Sequence, residues 1–311
     1  MIEELWIAFE GGGTKTRVLL AKPSGEVLAR EVGTSASPLY IHPEKFTQDI
    51  SLLLQRLRDV ADQYQACVTT AALTAPMDVT LVESLLRQFF PQVHIFRFRE
   101  GEAALSTYDL RAGCALIAGT GSSCYVIEEN GNCVMSGGLG PQFGDEGSAY
   151  WISREAIAYA LRTALNKRTP TRLEQRLLNY FEIDVPYEVF GLCRGNGFIP
   201  APRVAGFAKE VFDLAEMGDE VACDICRRAG IALGNLVSDA VSRSNFVGRP
   251  FPLVLAGGVF HAGKWVIQPL ENTLQKNATI YSLYPPVTEP AEGLIKALRY
   301  KLLHEGGARV S

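Results

Sequence analysis

At 311 residues, with 47% hydrophobic and 21% charged side chains, the chain can bury a full core, and its length suggests two domains. A formal net charge of -4 leaves no basic footprint, which argues against nucleic acid or an anionic membrane surface as partner. No apolar run approaches the ~20 residues that cross a bilayer. Residues 1–10 lack the cationic flank of a leader, so a cytoplasmic protein is expected.

In chain order, three short strands come first: Leu5–Phe9, Arg17–Ala21 and Val27–Glu31. Apolar residues at helical spacing then predict a helix over 43–64. A strand at Val68–Leu73, a helix at Val79–Phe90, a strand at Val93–Phe98 and a helix at Glu102–Leu110 complete the first part. The second part repeats the order, with strands at Cys114–Ala118, Tyr125–Glu128 and Cys133–Ser136 and a long helix from about Glu146. Helical stretches at 171–180, 203–217 and 219–243 follow, with the Pro-rich 198–203 as a break. Strand Leu253–Ala256, helix Gly263–Leu274, strand Ile280–Leu283 and helix Ala291–Leu303 close the chain.

Strands and helices that alternate twice in one order imply two helix-covered sheets, an α/β architecture of two lobes with a ligand cleft between them. The expected division is 1–112, with about 288–311 returning to the first lobe, and 113–287 as the second.

Seven cysteines, an odd number scattered along the chain, suggest reduced thiols rather than a disulfide framework. Cys223 and Cys226 form a C-x-x-C, but the helical pattern around them puts the pair on one buried face. A metal or redox site would need a turn and further ligands.

Four glycine-rich motifs stand out. Glu10-Gly11-Gly12-Gly13-Thr14-Lys15-Thr16 lies between two strands, where bare backbone N–H groups can line a concave anion site and Thr14 and Lys15 add a hydroxyl and a cation. A plain hairpin turn would use the same residues. Gly119-Thr120-Gly121-Ser122-Ser123 holds the equivalent place in the second part, which suggests two halves of one phosphate clamp. Ala256-Gly257-Gly258 follows a strand and permits close approach to a flat ligand such as adenine; ordinary strand–helix punctuation is the alternative. The stretch 137–148 leads into a helix whose first turn is expected to carry Asp145 and Glu146, either as dipole-complementing acids or as a carboxylate for sugar hydroxyls. Neither a P-loop nor a dinucleotide G-x-G-x-x-G turn is present.

As a set, these motifs, above all 144–152 (GDEGSAYWI), resemble the BadF/BadG-type ATPase family and, within it, N-acetylglucosamine and glucosamine kinases. The resemblance covers essentially the whole chain. It implies an actin-like fold of the acetate/sugar kinase and Hsp70 type, ATP with Mg2+ as cofactors, a small sugar as substrate and a homodimer. It assigns Glu100 as the general base. Gly11, Gly12, Gly13, Thr14, Lys15, Gly119, Thr120, Gly121 and Ser122 would hold the phosphates, and Gly257 and Gly258 the adenosine. Asp145, Ser123 and Gly144 would hold the sugar, and Glu10 the magnesium through water.

The family pattern has Asp where Glu10 and Glu100 stand, so each carboxylate reaches further by about a bond length. Ser123 replaces an Asn, Leu139 a Trp, and the loop 33–38 has no Asn. A partner-coupled ATPase and a sugar- or nucleotide-binding homologue without turnover are the competing expectations.

Overall fold

The computed structural model describes residues 3–36, 41–74, 79–166, 169–193, 199–277, 279–287 and 289–304. Ser37 and Pro38 of the loop after the third strand lie outside them. The chain forms two compact units, Met1–Ala115 with Val287–Ser311, and Leu116–Pro286.

The first unit holds β1 (Glu3–Gly11), β2 (Lys15–Ala21), β3 (Val27–Thr34), α1 (Pro43–Gln63), β4 (Ala66–Thr74), α2 (Val79–Phe89), β5 (His94–Arg97) and α3 (Glu100–Thr107). Its sheet order is β3-β2-β1-β4-β5. The first three strands pair antiparallel, and β4 joins β1, and β5 joins β4, in parallel. Period-2 alternation along β1 decides what each face receives. Leu5, Ile7 and Phe9 enter a core with Ile50, Leu53, Leu54 and Leu57 of α1 and with α2. Trp6 and Ala8 face Ala103 of α3 together with Leu294, Ile295 and Leu298, from the end of the chain. Burying each large aliphatic side chain contributes about 1.5–3 kcal/mol, so the C-terminal segment is held in this unit by one face of β1.

The second unit contains β6 (Gly113–Ala118), β7 (Ser122–Ile127), β8 (Cys133–Gly137), α4 (Gly140–Phe143), α5 (Ala149–Leu165), α6 (Arg172–Phe181), a 3-10 turn at Pro186–Cys193, α7 (Ala201–Gly206), α8 (Ala208–Glu216) and α9 (Glu220–Ser242). It continues through β9 (Phe251–Ala256), a 3-10 turn at Gly258–Ala262, α10 (Lys264–Lys276) and β10 (Tyr281–Val287). The sheet order, β10-β9-β6-β7-β8, is that of the first sheet read from the opposite edge, with β6 to β10 in the places of β1 to β5. α11 (Pro290–His304) belongs to the first unit.

Three local expectations are revised. The helix placed at 146 begins at Ala149, because the Ser148 hydroxyl caps it by accepting from the Trp151 N–H at 3.1 Å. Asp145 therefore stands in a loop, with φ +59°. The single helix expected over 203–217 is two. The Tyr180 hydroxyl donates to the Arg203 carbonyl at 2.9 Å, and the Phe207 N–H turns to Val204 at 3.0 Å. α3 starts at Glu100, two residues early, because the Glu102 carboxylate accepts from the Arg99 N–H at 2.6 Å and caps the first turn.

Candidate active site

In the first unit the β1–β2 hairpin sets the geometry. Pairing of Gly11 with Thr16 puts Glu10 directly opposite Arg17. The turn closes by a 3.0 Å hydrogen bond from the Gly12 N–H to the Lys15 carbonyl, and the Gly12 carbonyl accepts from the Ala36 N–H at 3.1 Å. The side chains of Thr14 and Lys15 are left exposed at the tip, beside the half-buried Gly12 and Gly13.

Arg17 Nη1 donates to Glu10 Oε2 at 2.7 Å, and its Nε lies 3.3 Å from Glu289 Oε1, just ahead of α11. Burial raises the Glu10 pKa; Arg17 opposes that rise and Glu289 adds to it. Glu100, first residue of α3, is pushed up to about 7, by burial first and by the charge of Glu10 second. Part of the Glu100 surface stays open, yet the surrounding chain desolvates its carboxyl. Among the described residues it has no hydrogen-bond or ion-pair partner. Glu102, two positions on, is committed to its cap and to Arg99 Nη1 at 3.7 Å.

Glu10, Glu100 and Glu289 thus share one neighbourhood with the Arg17 guanidinium. The buried Glu289 Oε1 makes no hydrogen bond, its one contact of opposite charge among the described residues being the 3.3 Å ion pair to Arg17 Nε. Three carboxylates against one guanidinium, with a buried carboxylate oxygen that accepts no hydrogen bond, fit a hydrated Mg2+, an ion that keeps several waters. Among the described residues no three His, Cys, Asp or Glu side chains converge as direct ligands, so the fit is to a cation held through water.

In the second unit three of the motifs come together. The Gly119–Ser122 turn is pinned to the segment after α4. The Ala149 N–H donates to Gly119 at 2.9 Å, the Tyr150 N–H to Thr120 at 3.3 Å, and the Ser122 hydroxyl to the Glu146 carbonyl at 2.8 Å. Gly257 adjoins the same turn. Its φ is +107°, and an added Cβ would collide with the Ala118 carbonyl and come within 3.0 Å of the Gly119 nitrogen. Gly258 is exposed, and the nearest atom to a Cβ there is His261 Nδ1 at 4.0 Å.

Asp145 is 5% exposed and lies against Gly121. Burial raises its pKa, while the backbone N–H groups of Ser122 and Gly140 pull it back down. The carboxylate therefore braces the Gly119–Ser122 turn and keeps lone-pair directions beyond those two N–H groups. Ser123 is buried in β7 opposite Gly137, and the Gly144 N–H bonds to the Gly140 carbonyl at 2.9 Å.

Arg17 and Glu289 were not among the residues singled out from the sequence. The hairpin register carried a signal for Arg17, because a turn that pairs 11 with 16 must pair 10 with 17. Nothing local marks Glu289. The C-x-x-C lies on α9, where Cys226 is buried and its thiol pushed up to about 12, chiefly by burial. A thiol held protonated is a poor metal ligand or nucleophile. No helix among the described residues is long and apolar enough to cross a membrane.

The sequence model of the BadF/BadG/BcrA/BcrD ATPase family matches residues 10–295, and the chain belongs to that family. It is 25% identical over 278 residues to an N-acetylmuramic acid/N-acetylglucosamine kinase of Clostridium acetobutylicum, covering 87% of this chain and 90% of the relative. It is 24% identical over 274 residues to an N-acetyl-D-glucosamine kinase of Dictyostelium discoideum, covering 83% and 86%. Among solved structures, a candidate N-acetylglucosamine kinase from Chromobacterium violaceum superposes with a TM-score of 0.71 at 20% identity, over 96% of this chain and 99% of that one. The fold is that of the actin-like sugar kinases.

Proposed function

We propose that this member of the BadF/BadG/BcrA/BcrD ATPase family is an ATP-dependent kinase of a small amino sugar of the N-acetylglucosamine or glucosamine type. One observation carries the catalytic assignment: Glu100 is a desolvated carboxyl at a helix start, pushed up to about 7 and without a partner among the described residues. A general base is most effective when its pKa lies near the working pH. The names of the relatives, which cover most of the chain at 24–25% identity, support an amino sugar as acceptor.

Glu100 takes the proton from the attacking sugar hydroxyl as that oxygen bonds to the terminal phosphorus of ATP. ADP leaves with the electrons of the broken P–O bond. Gly11, Gly12, Gly13, Thr14 and Lys15 in the first unit, and Gly119, Thr120, Gly121 and Ser122 in the second, bind phosphate. Gly257 and Gly258 back the adenosine, and Asp145, Ser123 and Gly144 orient the sugar. Glu10 and Glu289 would hold magnesium through its waters, and the ion supplies charge neutralisation on the phosphates. Arg17 keeps Glu10 in place at 2.7 Å.

A coupled assay of ADP release with MgATP over a panel of hexoses and amino sugars tests the reading. ADP release should depend on added sugar and be fastest with an amino sugar. Equal ADP release with and without every sugar would support hydrolysis coupled to a partner instead.

A further inference from the structure

A cavity of about 660 Å³ opens within the first unit, lined from residues 24–30, 109–111 and 292–304 and by none of the residues of the glycine turns at 11–16, 119–123 and 257–258. Its charged lining consists of Arg30, Arg111, Lys296 and Arg299 against Asp109 and Glu292. Four cations against two carboxylates leave two positive charges in excess, on a chain whose net charge is -4. The pairing shows where that excess resides. Arg30 is matched with Glu292, and Lys296 with Asp109 at 2.9 Å. Arg111 and Arg299 meet no carboxylate at ion-pair distance among the described residues. Arg111 donates to the Ser106 hydroxyl at 2.8 Å, and Arg299 to the Ser24 carbonyl at 3.3 Å.

The aromatic wall is equally ordered. The Arg111 guanidinium lies 4.1 Å from the centroid of the Tyr300 ring, and His304 stacks on that ring at 4.2 Å and 18°. Two groups that close to one centroid must take opposite faces, so Tyr300 fixes the direction of the Arg111 fork. Cations in the last turns of α11 complement the helix dipole, a benefit of about 0.3–1 kcal/mol each. That accounts for neither Arg30, on β3, nor Arg111, beyond α3. A cavity of this size suits a small ligand. Two guanidiniums with no carboxylate at ion-pair distance among the described residues, Arg111 feeling Asp109 only from further off, suit phosphate, which their planar fork can bind bidentately.

We infer that this cavity binds the phosphate group of a small phosphomonoester, with Arg111 and Arg299 as its charge partners and Asp109 and Glu292 available to the hydroxyls of the esterified alcohol. The placement gives such binding a route to catalysis. α3 begins at Glu100 and leads to Asp109 and Arg111; α11 follows Glu289 and ends at Tyr300–His304. The two helices touch where a Cβ on Gly293 would collide with the Ala103 carbonyl, so a shift at the cavity end is carried along both.

The inference stands apart from the kinase reading, because binding is measured without turnover. Glucose 6-phosphate, AMP and inorganic phosphate would each be titrated by calorimetry without Mg2+ or ATP, with amide hydrogen exchange locating the site. A bound phosphomonoester should slow exchange in 106–111 and 295–304, and Arg111→Gln with Arg299→Gln should weaken binding at least tenfold. If that double variant loses its melting transition, the exposed Arg299→Gln alone should still weaken binding severalfold. Preference for glucose 6-phosphate or for AMP identifies the source of the ester. Inorganic phosphate binding as tightly as either would remove the ester from the assignment. No exchange protection in those segments, or affinity unchanged in the variants, would overturn it. In a kinetic arm, saturating glucose 6-phosphate should change wild-type kcat/KM at least twofold and leave Arg299→Gln unaffected. An equal response in both would overturn the link to catalysis.

Discussion

The two units share one strand order and use it differently. In the first, the hairpin between β1 and β2 is flanked by charged side chains: Arg17 and Glu289 act on Glu10, and Glu10 acts on Glu100. In the second, the equivalent turn after β6 is surrounded by backbone. Gly257 lies against it, the carbonyls of Gly119 and Thr120 accept from 149 and 150, and even the buried Asp145 is aimed at N–H groups. Duplicated architecture has been divided into a unit that supplies titratable chemistry and a unit that supplies shape and donors. Substitution of the first unit's Glu100 should therefore change rate with little loss of nucleotide binding, and substitutions around the turns of the second should change binding or folding.

The largest expected effect is on rate. Glu100→Gln keeps shape but removes the basic oxygen, and kcat should fall about 10²–10⁴-fold with MgATP affinity little changed; steady-state kinetics and calorimetry on one preparation check both. Glu100→Asp retracts the carboxylate by about a bond length, and a misplacement of ~1 Å can cost about a hundredfold. It should be slower than wild type, and an equal or faster Asp variant would mean that the site is not shaped to glutamate.

In the second unit, two adjacent glycines separate folding from binding. Gly257→Val meets a left-handed backbone and the Ala118 carbonyl, so it should cost at least about 1–3 kcal/mol and lower the melting temperature. Gly258→Val points into open space and should leave melting unchanged while weakening MgATP binding. Unchanged affinity there would remove this turn from the nucleotide site. The smallest effect belongs to Glu102→Gln, which weakens a helix cap and should cost about 0.5–1 kcal/mol without altering the rate per folded molecule. If Glu102→Gln instead abolished turnover while Glu100→Gln did not, the roles of the two glutamates would be reversed.

Much of the fold was legible because its signals are periodic. Alternation in β1 and the 3.6-residue spacing of α1 name the faces that the core then uses. What was misread turned on single hydrogen bonds. Asp145 and Glu146 look like the acids of a first helical turn, but the Ser148 hydroxyl caps three residues later, and Asp145 is left with a positive φ. The glycine turns at 119 and 257 were visible as separate motifs. That they touch follows from strand order, since β9 lies beside β6, and local sequence does not contain that neighbourhood. Glu289 is the clearest omission. It reaches Arg17 only because α11 packs on the far face of β1, across more than 270 residues of chain.

The account stands most directly on the proton taken by Glu100, and the pH dependence of kcat/KM for sugar phosphorylation reads that group in the free enzyme. A base must be deprotonated to act. With Glu100 raised from 4.5 to about 7, kcat/KM should fall about tenfold per unit as pH drops below about 7 and level off above it. The same raised pKa costs the folded state its charged form, so the contribution of Glu100 to stability should decline as pH rises from about 4.5 to about 7. The account predicts an activity limb near pH 7 that disappears in Glu100→Gln, whose residual rate should be flat across the same range. A wild-type profile without that limb, or one whose limb persists in Glu100→Gln, would contradict it.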